Sequence, residues 1–276
     1  MRIVVIVENE TRGRLRSEIG LSLMLETNTK SVLIDAGASD LVVENLKKKG
    51  YLPERIENIV ISHNHRDHIG GLEALLMKND VAEVYVSENA QGEYVKCKDG
   101  VIEVLSDYYL MMTMPERFVK AGDIAYIGDD IALCCVRKTD KKYTGKNTYL
   151  KKIVNVKLQD DDFRHELYVA AFEGDSYNII SPCSHNGIVN IIRDAKERFP
   201  DKTLNAYIGG LHIQGKESSI DEKTAAYVVR IAKKLNTTGL KALYTCHCTG
   251  RQPYRVFKEL CDFPVKYITT GDEIEV

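Results

Sequence analysis

Apolar residues occur along this 276-residue chain in short runs of two kinds, which alternate. Runs of strand length, bounded by turn residues, cover residues 2–8, 58–62, 204–208 and 240–245. Segments with helical spacing cover residues 41–49, 188–199 and 221–235, the last with Ser219 and Asp221 as candidate caps. Strands that alternate with helices in this way are typical of layered domains in which helices cover sheets. The pattern therefore predicts the α/β class.

The remaining elements continue the same alternation. Hairpins are predicted at 20–26 with 31–34, 124–127 with 131–136, and 167–172 with 177–180. Helices are also expected at 72–77 and before Leu260, and strands at 84–86 and 265–269. The pattern is weakest between residues 87 and 162. Because no repeat, proline-rich linker or low-complexity block interrupts the chain, we expect one domain over residues 1–276.

One apolar run leads directly into a cluster of histidines. After Ile59–Ile61, the next seven positions include His63, His65, Asp67 and His68, and two glycines follow soon after. Imidazole and carboxylate groups suit zinc, iron or manganese ions. Alternate residues of an extended chain share a face, so His63 and His65 can bind one ion while Asp67 and His68 point towards a second. The alternative is a polar surface loop, but three of the seven histidines within six positions make chance clustering a poor explanation.

Two later histidines also follow predicted strands. His185 comes shortly after the strand at 177–180, and His247 comes after the strand at 240–245. Loops that follow strands in α/β layers gather at one edge of the sheets. We therefore expect these distant histidines to converge with the first cluster.

Composition and charge narrow the classes of partner. The chain is 44% hydrophobic and 28% charged, with a formal net charge of −2 and a pI near 6.4. It lacks the basic surplus that nucleic-acid or membrane binding favours, and no apolar stretch approaches the about 18 residues of a membrane span. Seven scattered cysteines do not suggest a disulfide framework, which favours a cytoplasmic location. We expect a small-molecule substrate, neither nucleic acid nor membrane as partner, and allow for a homo-oligomer.

The histidine cluster resembles the H-x-H-x-D-H signature of the metallo-β-lactamase superfamily. Other segments, such as Glu18-Ile-Gly-Leu-Ser22 and Cys183-Ser-His-Asn-Gly187, are similar to one branch of that superfamily. The branch is named for 7,8-dihydropterin-6-yl-methyl-4-(β-D-ribofuranosyl)aminobenzene 5′-phosphate synthase. The resemblance implies a metallo-β-lactamase-like four-layer αββα sandwich. It also implies one or two bound ions, with zinc preferred and iron or manganese as alternatives.

The resemblance assigns roles to residues of this chain. The expected ligands are His63, His65, Asp67, His68, His185 and His247. Asp67 is in addition the candidate proton acceptor for a reacting water. Asp35, in Asp35-Ala-Gly37, resembles the superfamily aspartate that supports the metal-binding loop, although it could simply begin a turn.

The chain departs from the superfamily pattern at the bridging ligand. Where Gly-Asp is usual, this chain has Pro182-Cys183. The Cys183 thiolate could coordinate a softer ion such as zinc or iron, or the side chain could be a small buried hydrophobe. His212 could be a ligand, a proton shuttle or a phosphate contact. Cys246 and Cys248 flank His247 and are expected to pack on the face opposite to it.

Two segments are candidates for binding an anion. Thr249 and Arg251 open a predicted helix, where free N–H groups and a guanidinium could hold phosphate or carboxylate. Arg12, Arg14 and Arg16 lie in a polar loop that is either simply solvated or steers anions towards the site.

Three functions remain open from the sequence. The first is a metal-dependent hydrolase of an anionic, phosphorylated small molecule. The second, implied by the named branch, is a transferase that joins a dihydropterin methyl diphosphate to a ribofuranosylaminobenzene phosphate and releases diphosphate. The third is a non-catalytic protein that binds metal or senses redox state. Fold alone does not choose among them.

Overall fold

The strands of this computed structural model form three sheets within residues 1–145, 147–213 and 220–276, the part of the chain that the structure describes. The first sheet has the order β18 (Glu273–Glu275), β1 (Arg2–Val7), β2 (Ser22–Glu26), β3 (Ser31–Ile34), β4 (Asn58–Val60), β5 (Glu83–Ser87) and β8 (Phe118–Ala121). The second has the order β17 (Val265–Tyr267), β16 (Ala242–Thr245), β15 (Thr203–Gly209), β14 (Ser176–Ile180), β13 (Leu167–Glu173), β10 (Ile131–Cys135) and β9 (Ile124–Ile127). The third, smaller sheet has the order β12 (Lys157–Asp160), β11 (Leu150–Val154), β6 (Glu93–Lys98) and β7 (Val101–Val104).

Helices lie between and around these strands. They are α1 (Leu41–Lys48), α2 (Arg66–Ile69), α3 (Leu72–Leu76), α4 (Tyr109–Thr113), α5 (Ile188–Arg198), α6 (Glu222–Leu235) and α7 (Arg251–Leu260). Asp221 caps α6, because its carboxylate accepts a hydrogen bond from the Thr224 N–H at 2.7 Å. The other predicted cap, Ser219, lies outside the described residues. None of the described helices has both the length and the apolar character needed to cross a membrane.

Three hydrophobic clusters define the layers. One lies between the two large sheets and includes Ile3 and Val5 of β1 together with Val169 and Ile208 of the second sheet. A second cluster joins the other face of β1 to α1 and α3. A third packs α5, α6 and α7 on the outer face of the second sheet, through residues such as Phe257. These layers confirm the predicted α/β class and the αββα arrangement.

The position of β1 explains its unbroken apolar sequence. Ile3 and Val5 face the second sheet, whereas Val4 and Ile6 face the helices, and all four side chains are fully buried. A strand that is covered on both faces needs apolar residues at every position rather than at alternate ones.

Among the strands, the prediction missed the third sheet, β8 of the first sheet and β18. Strand β12 is exposed at every position and has only one apolar residue, so no apolar run marks it. Strand β7 has three apolar residues, Val101, Ile102 and Val104, but it is only four residues long and fully exposed. Strand β18 has a single apolar residue, Ile274, between two glutamates. Strands with few buried positions lack the periodic signal on which sequence interpretation depends.

The topology brings several loops to one edge of the sandwich. Strands β3, β4 and β5 run parallel in the first sheet, and β14, β15 and β16 run parallel in the second. The carboxyl ends of parallel strands meet at the same edge. The loops after β4, β14, β15 and β16 contain the predicted site residues from His63 to Cys248.

Candidate metal centre

The first histidine loop is part extended chain and part helix. Strand β4 ends at Val60, and His65 keeps an extended backbone with φ −116° and ψ 142° before α2 begins at Arg66. Asp67 and His68 therefore lie on a helical turn, not on the extended chain from which their direction was predicted. The ring centroid of His63 lies 4.6 Å from that of His65 and 4.1 Å from that of His68.

Asp35 holds this loop in place through hydrogen bonds to Ser62 and His68. Its Oδ1 accepts the Ser62 N–H at 2.6 Å, and its Oδ2 accepts the Ser62 hydroxyl at 2.7 Å. The same Oδ2 lies 2.6 Å from Nδ1 of His68, and both side chains are fully buried. Asp35 therefore lies where a side chain that orients a metal-binding histidine would lie, and its supporting role stays a prediction.

The distant histidines lie beside the first cluster. Nε2 of His185 lies 3.3 Å from Nε2 of His63, and the ring centroids of His247 and His68 lie 4.9 Å apart. Oδ2 of Asp67 lies 3.4 Å from Nε2 of His247 and 3.8 Å from Nε2 of His68. The structure thus brings together His63, His65, Asp67, His68, His185 and His247.

In four of the imidazoles, Nδ1 contacts a polar group outside the cavity, so that Nε2 faces the cavity. Nδ1 of His63 lies 2.8 Å from the Ser62 hydroxyl, and Nδ1 of His68 contacts Asp35. Nδ1 of His247 lies 2.8 Å from Asn9 Oδ1, and Nδ1 of His185 lies 3.4 Å from Asn147 Oδ1. With Nδ1 donating outward, Nε2 is left with a lone pair that faces the cavity, which is the tautomer a metal ion needs.

Two buried glutamates that the sequence analysis did not single out hold the other two loops. Glu166 accepts the His185 N–H at 2.6 Å and the Asn186 N–H at 2.8 Å, one with each carboxylate oxygen. Glu8 accepts the His247 N–H at 2.6 Å. Each metal-binding loop is therefore fixed through its backbone by one buried carboxylate: Asp35, Glu166 or Glu8.

Cys183 occupies the middle of the cluster. Its sulfur and the nearest nitrogens of His63 and His185 lie within 4.8 Å of one another, and the same is true of Cys183 with His68 and His247. One sulfur atom therefore lies within reach of both histidine sets. The side chain is buried, with 3% of its surface exposed.

The prediction that Cys248 packs away from the site was wrong. Its Sγ lies 3.2 Å from Sγ of Cys183, and it also accepts the His212 N–H at 3.2 Å. The prediction assumed strand alternation, but the chain turns here, with His247 in the left-handed region at φ 52°. Cys246 does pack in the core between the sheets, as expected.

His212 lies at the side of the cluster. Its Nδ1 lies 3.8 Å from Sγ of Cys183, and its Nε2 lies 3.0 Å from the Tyr149 hydroxyl. Its ring centroid is 4.1 Å from that of His185. From this position His212 could bind an ion or transfer a proton, so both hypotheses remain open.

Burial and neighbouring charges shift the pKa values of these groups. Burial, with the neighbouring histidines, lowers the pKa of His63 and His185, and burial lowers that of His65 to about 3. Burial opposes ionisation of Asp67, but His68 and His247 outweigh it and lower its pKa. For His247, burial is outweighed by Cys248 and Asp67, which raise its pKa to about 9. His63, His65 and His185 are thus neutral and able to coordinate, whereas the raised pKa of His247 beside Asp67 means that an ion binding to its Nε2 must displace a proton.

Three imidazole nitrogens in this cavity are buried without a hydrogen-bond partner among the described residues: Nε2 of His65, His68 and His247. A buried polar atom left unpaired costs about 1–3 kcal/mol, so an unpaired cluster points to a missing partner. Nitrogen, carboxylate and thiolate donors around one cavity suit zinc or iron. The residues therefore fit one or two such ions.

A further buried pair lies behind His65. Nε2 of His165 lies 3.1 Å from Asp161 Oδ2, and Nδ1 of His165 accepts the Asn64 N–H at 3.2 Å. The His165 ring stacks on Tyr94 at 3.8 Å and lies 5.4 Å from the His65 ring. The pair therefore packs against the first loop from outside the cluster.

The two predicted anion-binding side chains are engaged elsewhere. Thr249 is fully buried; its hydroxyl lies 2.6 Å from that of Thr245, and its oxygen accepts the Leu211 N–H at 2.9 Å. Arg251 pairs with Glu10, through Nε to Oε1 at 3.1 Å, and its guanidinium lies 3.8 Å from the centre of the Tyr267 ring. This geometry does not support substrate binding by Thr249, and it commits Arg251 to Glu10. Arg12, Arg14 and Arg16 are exposed in their loop.

Close backbone packing holds the ligand loops at this edge. A Cβ at Gly71 would collide with the carbonyl oxygen of Ala36, next to Asp35. A Cβ at Gly209 would collide with the carbonyl of Ser181, which lies two residues before Cys183, and Gly209 has φ 138°. Only glycine allows the backbones to approach this closely.

Comparisons with known proteins agree with this architecture. The family model of the anti-Pycsar protein Apyc1 matches residues 17–91. The chain is 26% identical over 263 residues to the 7,8-dihydropterin-6-methyl-4-(β-D-ribofuranosyl)-aminobenzene-5′-phosphate synthase of Methanocaldococcus jannaschii. That match covers 88% of this chain and 85% of the synthase.

Solved structures share the fold over almost their whole length. Tm1679, a metal-dependent hydrolase of the β-lactamase superfamily, superimposes with a TM-score of 0.82 at 23% identity, covering 100% of this chain and 99% of that one. The metallo-β-lactamase fold protein YhfI from Bacillus subtilis gives a TM-score of 0.58 at 13% identity, covering 99% of each chain. Together with the layered sheets and the converging histidine loops, these similarities identify the chain as a protein of the metallo-β-lactamase fold.

Proposed function

We propose that this chain is a zinc-dependent hydrolase of an anionic, phosphorylated small molecule. The observation that carries the proposal is the position of Cys183, whose sulfur lies within 4.8 Å of the nearest nitrogens of both histidine sets. A thiolate placed in this way can take the bridging role that a carboxylate has elsewhere in the superfamily. Two divalent ions held close together would polarise a phosphate or ester oxygen and make hydroxide available at neutral pH.

Asp67 is the residue that would accept the proton. About a third of its side chain is exposed (36%), whereas the histidines around it are buried. Its carboxylate is held ionised by His68 and His247, so it can accept a hydrogen bond from a water in the cavity and orient it. Because the pKa of Asp67 is low, it would take the proton of that water only where bound ions made the water more acidic. The phosphorylated substrate class is supported by similarity to a synthase whose name specifies a 5′-phosphate.

The first test is metal content by elemental analysis of wild type and the Cys183→Ala variant. We expect the variant to hold one ion fewer of those bound by the two histidine sets, because the sulfur shared between them is gone. The Cys97→Ala variant is the matched control, since Cys97 lies on β6, outside the cluster. Equal metal content in wild type and Cys183→Ala would contradict the proposed bridge, and a single ion in both proteins would leave a mononuclear site.

The second test is turnover with the zinc-loaded protein. We expect hydrolysis of a phosphate ester from a panel of phosphorylated metabolites, and a fall of about 10²–10⁴-fold in Asp67→Asn, the usual effect of losing a proton acceptor. Asp160→Asn, at an exposed position of β12 in the third sheet, should retain full activity. Full activity in Asp67→Asn would remove this residue from the mechanism.

A second function is favoured by two observations: a thiol replaces the usual bridging carboxylate, and the match to the Methanocaldococcus jannaschii synthase covers 88% of this chain. A centre of this kind could neutralise the charge of a leaving diphosphate without generating hydroxide from water. We would incubate the loaded protein with dihydropterin methyl diphosphate and ribofuranosylaminobenzene phosphate and measure diphosphate. Diphosphate release that requires both substrates would favour the transferase, whereas no turnover in either assay would favour a metal-binding or sensing role.

A further inference from the structure

We propose that Cys248, His212 and Cys183 form an additional binding position for a thiophilic metal ion, beside the histidine-lined centre. Their donor atoms, two sulfurs and one imidazole nitrogen, all lie within 4.8 Å of one another. Cys248 and His212 belong to neither of the two histidine sets that share Cys183. The proposal concerns ion binding and does not require the protein to be a hydrolase.

The distances between the donors fit coordination. Zinc binds sulfur at about 2.3 Å and imidazole nitrogen at about 2.0–2.1 Å, so tetrahedral geometry separates two sulfurs by about 3.8 Å and sulfur from nitrogen by about 3.6 Å. The two sulfurs here lie 3.2 Å apart, and Nδ1 of His212 lies 3.8 Å from Sγ of Cys183. The sulfur–sulfur separation would have to widen by about 0.6 Å and the separation of His212 from Cys183 to shorten by about 0.2 Å for coordination of one ion.

The imidazole of His212 is oriented for this purpose. Its Nε2 contacts the Tyr149 hydroxyl at 3.0 Å, while Nδ1 faces Cys183. A hydrogen bond to the outer nitrogen is the usual device that orients a metal-bound histidine. The backbone of His212 is in the left-handed region, at φ 44°. A non-glycine residue in that conformation costs of order 1–3 kcal/mol, and such strain concentrates at functional sites.

Backbone contacts around Cys248 also position its sulfur. A Cβ at Gly210 would lie 2.5 Å from Sγ of Cys248. The Ile213 N–H donates to the Cys248 carbonyl at 3.0 Å, and the His212 N–H donates to its sulfur at 3.2 Å. These contacts hold the two loops together, so His212 and Cys248 are placed before any ion arrives.

The donor atoms of this additional position differ from those of the histidine-lined centre. Two sulfurs and one imidazole favour thiophilic ions, such as zinc, cadmium or copper(I), over magnesium or calcium. Because Cys183 is shared, an ion bound here draws on the same thiolate that is available to the histidine sets. Occupancy of this position and the bridging of the main centre are therefore linked.

Cobalt(II) binding under reducing conditions tests the proposal. Metal-free protein would be titrated with Co²⁺, following the sulfur-to-cobalt charge-transfer absorption in the near ultraviolet and counting the bound ions. We expect Cys248→Ser to bind one ion fewer than wild type and to lose about half of the charge-transfer intensity, since one of two thiolates remains. Cys261→Ser is the matched control, because Cys261 lies at the end of α7, and it should match wild type.

Further variants distinguish ion binding at this additional position from ion binding at the histidine-lined centre. His63→Ala combined with His65→Ala should lose an ion of the main cluster and keep the Cys248-dependent absorption. His212→Gln should lower the affinity for the additional ion while the protein remains folded by circular dichroism. Unchanged stoichiometry and absorption in Cys248→Ser would overturn the proposal. It would also be overturned if mass spectrometry showed that Cys183 and Cys248 form a disulfide despite reductant and excess cobalt.

Discussion

At the scale of single residues, the site depends on buried groups that do not themselves face the ions. Glu166 uses both carboxylate oxygens to accept the backbone N–H groups of His185 and Asn186, and Glu8 accepts that of His247. A carboxylate is the one side chain of this size with two acceptors and no donor. Ligand identity alone therefore does not define the centre, because the loop backbones need their own counter-groups.

Replacing Glu166 by glutamine tests this role. An amide offers one acceptor and one NH₂ group, so at least one backbone N–H would face a donor, at a cost of about 1–3 kcal/mol in the free energy of unfolding. We also expect the affinity for zinc to fall by about 10–100-fold, the usual effect of losing a group that orients a ligand. Competition with a chromophoric chelator measures the affinity.

Glu173→Gln is the control for that experiment, because Glu173 ends strand β13, which begins directly after Glu166, and 42% of its side chain is exposed. Equal zinc affinity in the two variants would show that Glu166 contributes to folding alone.

The glutamates also show where sequence interpretation ends at this scale. His63, His65, Asp67 and His68 stand in a recognisable spacing, so they could be predicted. Glu8 and His247 are separated by 239 positions, and no local pattern links them. Their partnership depends on tertiary packing of β1 against the loop after β16.

At the scale of elements, helix α5 is attached to the second sheet by a buried ionic network. Asp194 accepts hydrogen bonds from Arg137 Nε at 3.0 Å, Arg198 Nε at 2.7 Å and the Tyr168 hydroxyl at 2.8 Å. Burial by itself would raise the pKa of Asp194, but these hydrogen bonds outweigh it and lower the pKa. The carboxylate is 3% exposed, so this network differs from a surface ion pair.

Stability should therefore depend on pH through Asp194. A carboxyl with a lowered folded-state pKa stabilises the protein above its unfolded pKa, near 3.9, and that contribution is lost as pH falls through the folded value. We expect Asp194→Asn to lower the free energy of unfolding by about 3–5 kcal/mol at pH 7, and the gap from wild type to narrow at acidic pH. Urea unfolding of metal-free wild type and variant at pH 7 and at an acidic pH measures this difference in the free energy of unfolding.

Glu197→Gln, on the same helix with 58% of its side chain exposed, should change stability by less than about 0.5 kcal/mol. An Asp194→Asn variant that is equally destabilised at all pH values would contradict the assigned electrostatic origin.

Prediction of the elements succeeded where burial was strong. Helix α5 was predicted at 188–199 and found at Ile188–Arg198, and its apolar face packs in the third cluster. Strand β12 escaped prediction because all four of its residues are exposed and only Leu158 is apolar. The sequence records an element mainly through the side chains that the element buries, so peripheral strands are hard to find.

At the scale of the whole molecule, the candidate centre draws ligands from both large sheets. His63, His65, Asp67 and His68 follow β4 of the first sheet, whereas Cys183, His185 and His247 follow β14 and β16 of the second. Bound ions would therefore join the two halves of the sandwich. The apolar clusters that build the layers are independent of these side chains.

We expect chelation to lower the melting temperature without unfolding the protein. A ligand that binds only the folded state stabilises it by about 2.7 kcal/mol when its free concentration is 100 times its dissociation constant. The His63→Ala, His65→Ala double variant should stay folded, lose the first ion, and show a smaller response to chelator. Thermal melts followed by circular dichroism, with elemental analysis, give both quantities. Stoichiometric metal retained at the first site of the double variant would contradict the ligand assignment.

The close packing at Gly71 and Gly209 has a consequence for how such chains diverge over evolutionary time. A ligand side chain ends in the cavity, so exchanging one donor for another, such as cysteine for aspartate at position 183, leaves the backbone in place. A Cβ at Gly71 or Gly209 would instead displace a whole loop. We therefore expect these two glycines to change more slowly among descendants than several of the ligands. A search pattern anchored on them would recover relatives whose metal chemistry has changed, or has been lost.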